Sequence, residues 1–275
     1  MFKIHLKDTV LEFNTPIVMG ILNATPDSFF KGSRMELLDQ GVQKAIEMVH
    51  QGAAILDIGG QSTRPGAEII TEQNEIDRVV PLIQAIHAAL PHLPISIDTY
   101  HARVAKAALD AGALIVNDIS CGNFDPEMIN MVVANQAGYI GMHQTGGPAS
   151  MHEIHDRKDI MKELLDYFKV KKEQFAAKGL TEWIIDPGFG FSKSIAENFT
   201  IVKRLSILKE LKLPILLGVS RKSSIYKTLG IDAESALNGT TVVNTIGLLE
   251  GANILRVHDV KEAKEAIILL NEMNA

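Results

Sequence analysis

The sequence predicts an α/β protein built as a (β/α)8 TIM barrel with a short N-terminal β-hairpin, all in one domain over residues 1–275. Three observations carry that expectation. Eight short apolar runs recur along the chain, longer stretches with helical spacing lie between them, and glycines stand where those helices should stop.

Residues 2–13 alternate apolar and polar side chains around Lys7-Asp8, the pattern of a hairpin that would cap the bottom of a barrel. The apolar runs follow: Ile17–Leu22, Ala54–Ile58, Ile95–Ile97, Leu114–Val116, Tyr139–Met142, Trp183–Ile185, Ile215–Val219 and Asn253–Val257. Their near-continuous apolar character marks strands covered on both faces, as in a parallel sheet. Glu36–Gln51, Glu75–Leu90, Lys158–Lys178 and Asn198–Lys212 repeat apolar residues at three- and four-residue spacing and are predicted helices. Gly52, Gly112, Gly179 and Gly251 fall at expected helix C-termini. Eight units suit a closed barrel better than an open doubly wound sheet. Their unequal lengths argue against a solenoid.

Composition narrows the class of partner. A net charge of −6 argues against a nucleic-acid or anionic membrane surface, so an anionic ligand needs a local cationic pocket. The single cysteine, Cys121, cannot form an intrachain disulfide and suits a reducing, cytoplasmic setting; a packing role is expected for it. The first residues lack the apolar core of a signal peptide. No run approaches the roughly 18 apolar residues of a membrane span.

In barrels of this kind the active site forms at the C-terminal ends of the strands. Here those ends carry Asn23, Asp57, Asp98, Asn117 with Asp118, His143, Asp186, Ser220 with Arg221, and Arg256 with His258. Each alone could be a satisfied structural group. Eight polar ends on one rim point to a site, on which all of them are expected to converge.

The motifs at these ends resemble those of dihydropteroate synthases. Met19-Gly20-Ile21-Leu22-Asn23-Ala24-Thr25-Pro26-Asp27-Ser28-Phe29 is similar to the first signature of that family. Asp57-Ile58-Gly59-Gly60-Gln61-Ser62-Thr63-Arg64-Pro65-Gly66 is similar to the second. Ser96-Ile97-Asp98-Thr99, Asn117-Asp118-Ile119, Asp186-Pro187-Gly188-Phe189-Gly190-Phe191, Ser220-Arg221-Lys222-Ser223 and Arg256-Val257-His258-Asp259 follow in family order. The resemblance implies condensation of 6-hydroxymethyl-7,8-dihydropterin pyrophosphate with p-aminobenzoate.

It also implies roles that suit the residues present. Asp186 would accept paired bonds from the guanidine-like edge of the pterin. Asn117 offers a donor and an acceptor to the ring, Lys222 donates to its carbonyl or a ring nitrogen, and Met142 packs against it. Gly218 belongs to the same pocket. Asp98 would oppose positive charge on the pterin methylene as the leaving group departs; a helix cap before His101–Ala111 is its alternative. Asp118 could brace Asn117. Asp98, Lys222 and Arg256 are the expected catalytic residues. Arg256 and His258, two apart on one strand, would share a face and hold the diphosphate; a structural ion pair is the alternative for Arg256. Asn23 resembles the family's magnesium ligand, and Mg2+ is the expected cofactor. Thr63, Arg64, Pro65, Phe189 and Ser223 would surround the aromatic amine, with core packing the alternative for Phe189; Asp27, the acid left near the first loop, is a further expected substrate-binding residue. The family further implies a homodimer, and Lys261–Asn271 carries an apolar face (Ala263, Ala266, Ile267, Leu270) suited to a partner or to the barrel.

Three positions depart from the family pattern. Lys31 stands where the first loop has an acid, Gln61 replaces a usual Glu, and Met142-His143-Gln144-Thr145-Gly146-Gly147 is only loosely similar to Met-His-Met-Gln-Gly. Pterin-binding methyltransferases share the pocket logic but bind no diphosphate, so Arg64, the Ser220–Ser223 run and Arg256-Val257-His258 favour the synthase. A non-catalytic pterin-binding paralogue is the other alternative, with Lys31 in its favour.

Overall fold

The computed structural model describes residues 1–7, 9–24, 34–61, 68–155 and 157–273. A hairpin opens the chain: β1 (Phe2–Leu6) pairs antiparallel with β2 (Thr9–Phe13). Eight parallel strands follow: β3 (Ile17–Asn23), β4 (Ala53–Gly59), β5 (Ile95–Asp98), β6 (Ile115–Asp118), β7 (Gly138–Met142), β8 (Ile184–Asp186), β9 (Leu216–Leu217) and β10 (Ile254–Val257). β10 pairs with both β9 and β3, and a parallel bridge from Ile185 to Ile215 joins β8 to the approach of β9. The ring is thereby closed, as expected.

Around it stand α1 (Arg34–His50), α2 (Glu72–Ala89), α3 (Ala102–Asp110), α4 (Met128–Asn135), α5 (Ile160–Ala177), α6 (Ile195–Lys203), α7 (Ser223–Leu229), α8 (Leu237–Leu249) and α9 (Val260–Met273). α2 starts before the expected Glu75, because Thr71 caps it by accepting the Asn74 N–H. The helix expected over Asn198–Lys212 is two elements. α6 ends at Lys203, and a 3-10 helix covers Leu205–Leu211. Leu205, Leu208 and Leu211 recur every third residue and are buried, which is the period of a 3-10 turn rather than of an α-helix.

Strand alternation divides the core in two. One face of each strand packs on the helices: Val18, Leu56, Ile97, Val116, Tyr139, Ile185, Leu217 and Leu255 belong to that outer cluster. The other face fills the barrel with Ile17, Met19, Ile55, Ile115, Ile140, Ile184, Leu216 and Ile254. Phe2, Ile4 and Leu6 of β1 join this inner cluster, so the hairpin plugs the barrel bottom. Inward side chains recur at every second residue. One step above the apolar layer, the inward positions are Asp57, Asp98, Asn117, Met142, Asp186, Gly218 and Arg256.

Candidate active site

That upper layer is held together by direct bonds. Arg256 is gripped by two carboxylates: Nε donates to Asp57 Oδ2 at 2.6 Å and Nη2 donates to Asp98 Oδ2 at 2.6 Å. Asn117 Nδ2 donates to the same Asp57 Oδ2 at 2.9 Å. Strand register sets Asn23 beside Gly59, Gly59 beside Asp98, and Asp98 beside Asn117. Asn23, Asp98 and Asn117 are thus brought to one stretch of the rim, with Gly59 keeping the row low.

Across the barrel, Asp186 ends β8 and is buried; its Oδ1 accepts the Gly188 N–H at 2.7 Å. The turn after it needs glycine. Gly188 has φ +70, and a Cβ there would lie 1.9 Å from the His143 carbonyl oxygen. Lys193, itself buried, donates to the carbonyls of His143, Gly188 and Phe191 at 3.1, 3.0 and 3.1 Å, pinning this loop to the end of β7. Lys222 reaches the site from the residue before α7 and donates to the Phe189 carbonyl. Its ammonium lies 4.6 Å from the centre of the Phe191 ring, a cation–π contact. Gly218 lies between: a Cβ there would be 3.8 Å from both Asp186 Oδ2 and Arg256 Cβ.

Electrostatics follow from burial. It pushes the Asp98 carboxyl up to about 7 despite Arg256, and raises Asp186 against the pull of Lys222. Burial also lowers the Lys222 ammonium to about 8. For Arg256 burial acts against the charge, but Asp57 and Asp98 outweigh it and hold the guanidinium above its ordinary value. Three carboxylates and two cations share the cavity, so when all are ionised the cavity favours a cationic centre.

Several expectations fall differently. Asp118 does not brace Asn117. It points outward with Val116, accepts from the Ser120 and Gly122 N–H groups, and takes the Tyr139 hydroxyl at 2.9 Å. His143 also turns outward; its Nε2 lies 3.3 Å from Glu163 of α5, and burial lowers its pKa to about 4. Arg221 is held by Asp259 on the outer side of the rim. The eight ends therefore do not all converge. Phe189 has no exposed surface, and its ring packs in the outer cluster against Phe199 of α6; it contributes a carbonyl to the site rather than the apolar wall expected of it.

The apolar wall is instead Met142 clustered with Tyr100, Ile119, Met151 and Phe191. The sequence signals Phe191 only through its place two residues beyond Phe189 in the same glycine-rich loop. Asp57 was seen only as a strand end, although its spacing from Ile55 puts it inside the barrel. His258 accompanies Ser220, whose hydroxyl lies 3.1 Å from His258 Nδ1, and Ser223 opens α7 directly after Lys222. Cys121 is fully buried against Gly141, and burial lifts its thiol to about 12, in keeping with packing rather than nucleophilic chemistry. Asp27, Lys31, Thr63, Arg64 and Pro65 lie outside the described residues.

Comparison with known proteins agrees with this fold. The pterin binding enzyme family matches residues 19–258. A dihydropteroate synthase of Synechocystis is 43% identical over 247 residues, covering 89% of this chain and 85% of that protein. The structure superposes on a Clostridium dihydropteroate synthase crystallised in the presence of pteroic acid with a TM-score of 0.89 at 39% identity, over 94% of this chain and 97% of that one. It also superposes on the Xanthomonas albilineans enzyme crystallised with 4-aminobenzoic acid, with a TM-score of 0.91 at 33% identity, over 100% and 99% of the two chains. With its inward layer of carboxylates and cations on a closed barrel and this degree of likeness, the chain belongs to the dihydropteroate synthase family of pterin-binding enzymes.

Proposed function

We infer that the chain is a transferase that joins 6-hydroxymethyl-7,8-dihydropterin pyrophosphate to p-aminobenzoate, giving 7,8-dihydropteroate and pyrophosphate. The observation that carries this reading is the single inward layer of Asp98, Asn117, Asp186 and Arg256, reached from the loop by Lys222. Asp186 and Asn117 face the donor-rich edge of the pterin, and Lys222 serves its acceptor side. Met142 and Phe191 supply the apolar surface against the flat ring. Arg256 and His258, inward on β10 and just after it, take the diphosphate.

The bond from the methylene carbon to the diphosphate oxygen breaks first, its electron pair leaving with pyrophosphate. Asp98 opposes the positive charge left on the pterin. The amine of p-aminobenzoate then forms the new C–N bond and gives up a proton. Thr63, Arg64 and Ser223 are assigned to that second substrate, and Asp27 of the first-loop motif is assigned to substrate binding.

Among the described residues no group of three or more His, Cys, Asp or Glu side chains could hold a metal ion. Among these residues the candidate ligand is the half-buried amide of Asn23, a hard oxygen suited to a cation that keeps most of its waters and is completed by substrate phosphates. Magnesium bound there would neutralise the departing diphosphate. Two further assignments rest on the surface and the thiol. The apolar face of Ala263, Ala266, Ile267 and Leu270 packs on the barrel rather than facing a partner. Val242, Ile246 and Leu249 of α8 and Ile268, Leu269 and Met273 of α9 are instead exposed apolar residues, and a second copy of the chain covers them in a homodimer. No helix among the described residues is long and apolar enough to cross a membrane, and a reduced, buried Cys121 fits a cytoplasmic enzyme.

The test is formation of labelled dihydropteroate from both substrates, with magnesium and after chelation. Product that requires the metal is expected. No product under either condition, with the pterin pyrophosphate still bound, would instead make the chain a binding protein.

A further inference from the structure

We propose that Asp57 is a positioning residue that sets the orientation of both Asn117 and Arg256 toward the pterin pyrophosphate. It rests on the reading above of which substrate this cavity takes. Asp57 has no exposed surface, yet its Oδ2 accepts from Asn117 Nδ2 at 2.9 Å and from Arg256 Nε at 2.6 Å. Its other oxygen, Oδ1, has no hydrogen-bond partner among the described residues.

Two consequences follow. The Asn117 amide could lie either way round with almost the same shape. A carboxylate can only accept, so it selects the arrangement with Nδ2 toward β4. Oδ1 of Asn117 is thereby turned away from Asp57 and serves a donor on the ligand, the same polarity that Asp186 offers. Arg256 is held at two points with different roles. Asp57 grips Nε, near the stem, from a position without access to ligand. Asp98 grips Nη2 and, unlike Asp57, is partly exposed, so of the two it is the one placed to answer charge on the substrate. With Asp57 keeping the stem in register, Asp98 can release Nη2 when the diphosphate arrives and Arg256 still faces the leaving group. A purely structural ion pair would require neither the shared Oδ2 nor the contact with Asn117.

The experiment compares Asp57→Asn with the unaltered protein. We expect KM for the pterin pyrophosphate to rise about tenfold or more, as for loss of a charged hydrogen bond, with KM for p-aminobenzoate unchanged. Calorimetry with the pterin pyrophosphate alone should show the same loss. In a double-mutant cycle, Asn117→Ala added to Asp57→Asn should cost much less than Asn117→Ala alone. Equal rises in both KM values, no rise, or additive effects would overturn the proposal. Should Asp57→Asn not fold, 15N NMR of the unaltered protein decides. The Arg256 Nε–H, identified by its loss in Arg256→Lys, should exchange slowly with solvent both free and with the pterin pyrophosphate bound. Fast exchange in either state overturns the assignment. An unaltered protein that makes no dihydropteroate would count against the enzymatic reading, whereas the exchange and calorimetric results would still judge Asp57.

Discussion

At Asp98 burial and charge pull in opposite directions, and the balance makes the site sensitive to pH. Burial first lifts its carboxyl to about 7 and the Lys222 ammonium is lowered to about 8, again by burial. The carboxylate needed to oppose a cation forms as pH rises through about 7; the ammonium needed by the ring is lost as pH rises through about 8. Hence kcat/KM for the pterin pyrophosphate should climb toward neutral pH and fall on the alkaline side. Stopped assays across that range check it, and a flat profile would show that neither group titrates in the free enzyme. Asp98→Asn should lower kcat by about 10²–10³-fold, the scale of losing one preorganised electrostatic contact, with a smaller effect on pterin pyrophosphate binding. Equal losses in turnover and binding would remove Asp98 from the transition state. Which of two adjacent polar residues enters the site was the part hidden at this scale. Asn117 and Asp118 both close the same apolar run, but strands buried on both faces carry no polar alternation to say which side is inward. Only the packing of Ile115 inside and Val116 outside separates them. The same ambiguity hid the outward turn of His143.

At the level of elements, most of the barrel was readable because each strand is a short apolar run and each long helix keeps its spacing. The misread stretch, 198–212, is informative: Leu205, Leu208 and Leu211 satisfy a three-residue repeat that an α-helical template also tolerates. α8 shows no apolar stripe in the sequence, because its buried positions include Gly239, Thr240, Asn244 and Gly247 while Val242, Ile246 and Leu249 are exposed. The loop between β8 and α6 is where element structure meets the site. Lys193 supplies its N–H groups to three carbonyls there, and Ser194 then caps α6 in a reciprocal box with Glu197. Ser194→Ala should cost about 1 kcal/mol of stability and leave kinetics intact. Lys193→Met should do more. It leaves three carbonyls without their donor at about 1–3 kcal/mol for each buried group left unsatisfied. It also loosens the Gly188 turn against which Asp186 is set, so pterin affinity should fall with stability. Denaturant unfolding alongside pterin titration separates the two variants; a Lys193→Met protein with unaltered pterin binding would show that the loop holds its shape without the staple.

Across the whole molecule, stability and chemistry lie at opposite ends of the barrel. The bottom is closed by β1, where Ile4 and Leu6 press on Gly138 of β7: a Cβ on that glycine would come within 3.2 Å of Ile4 Cγ2 and 3.0 Å of Leu6 Cδ2. Phe2 stacks on Phe13 of β2 with ring centres 5.1 Å apart, holding the hairpin flat beneath the inner cluster. The site layer stands above that cluster, separated from the hairpin by Ile17, Met19, Ile55 and their neighbours. Ile4→Ala removes a buried branched side chain and leaves a cavity, at a cost of about 2–5 kcal/mol. For a chain of this size that should lower Tm by several degrees. The rim bonds among Asp57, Asp98, Asn117 and Arg256 involve no hairpin residue, so kcat and both KM values measured well below the transition should stay within about twofold, the ordinary insensitivity to a distant change. Thermal melts and steady-state kinetics on the same preparation give the answer. A loss of turnover at low temperature with Tm preserved would mean that the plug reaches the site through the inner cluster, and that the barrel transmits strain along its axis instead of isolating its two ends.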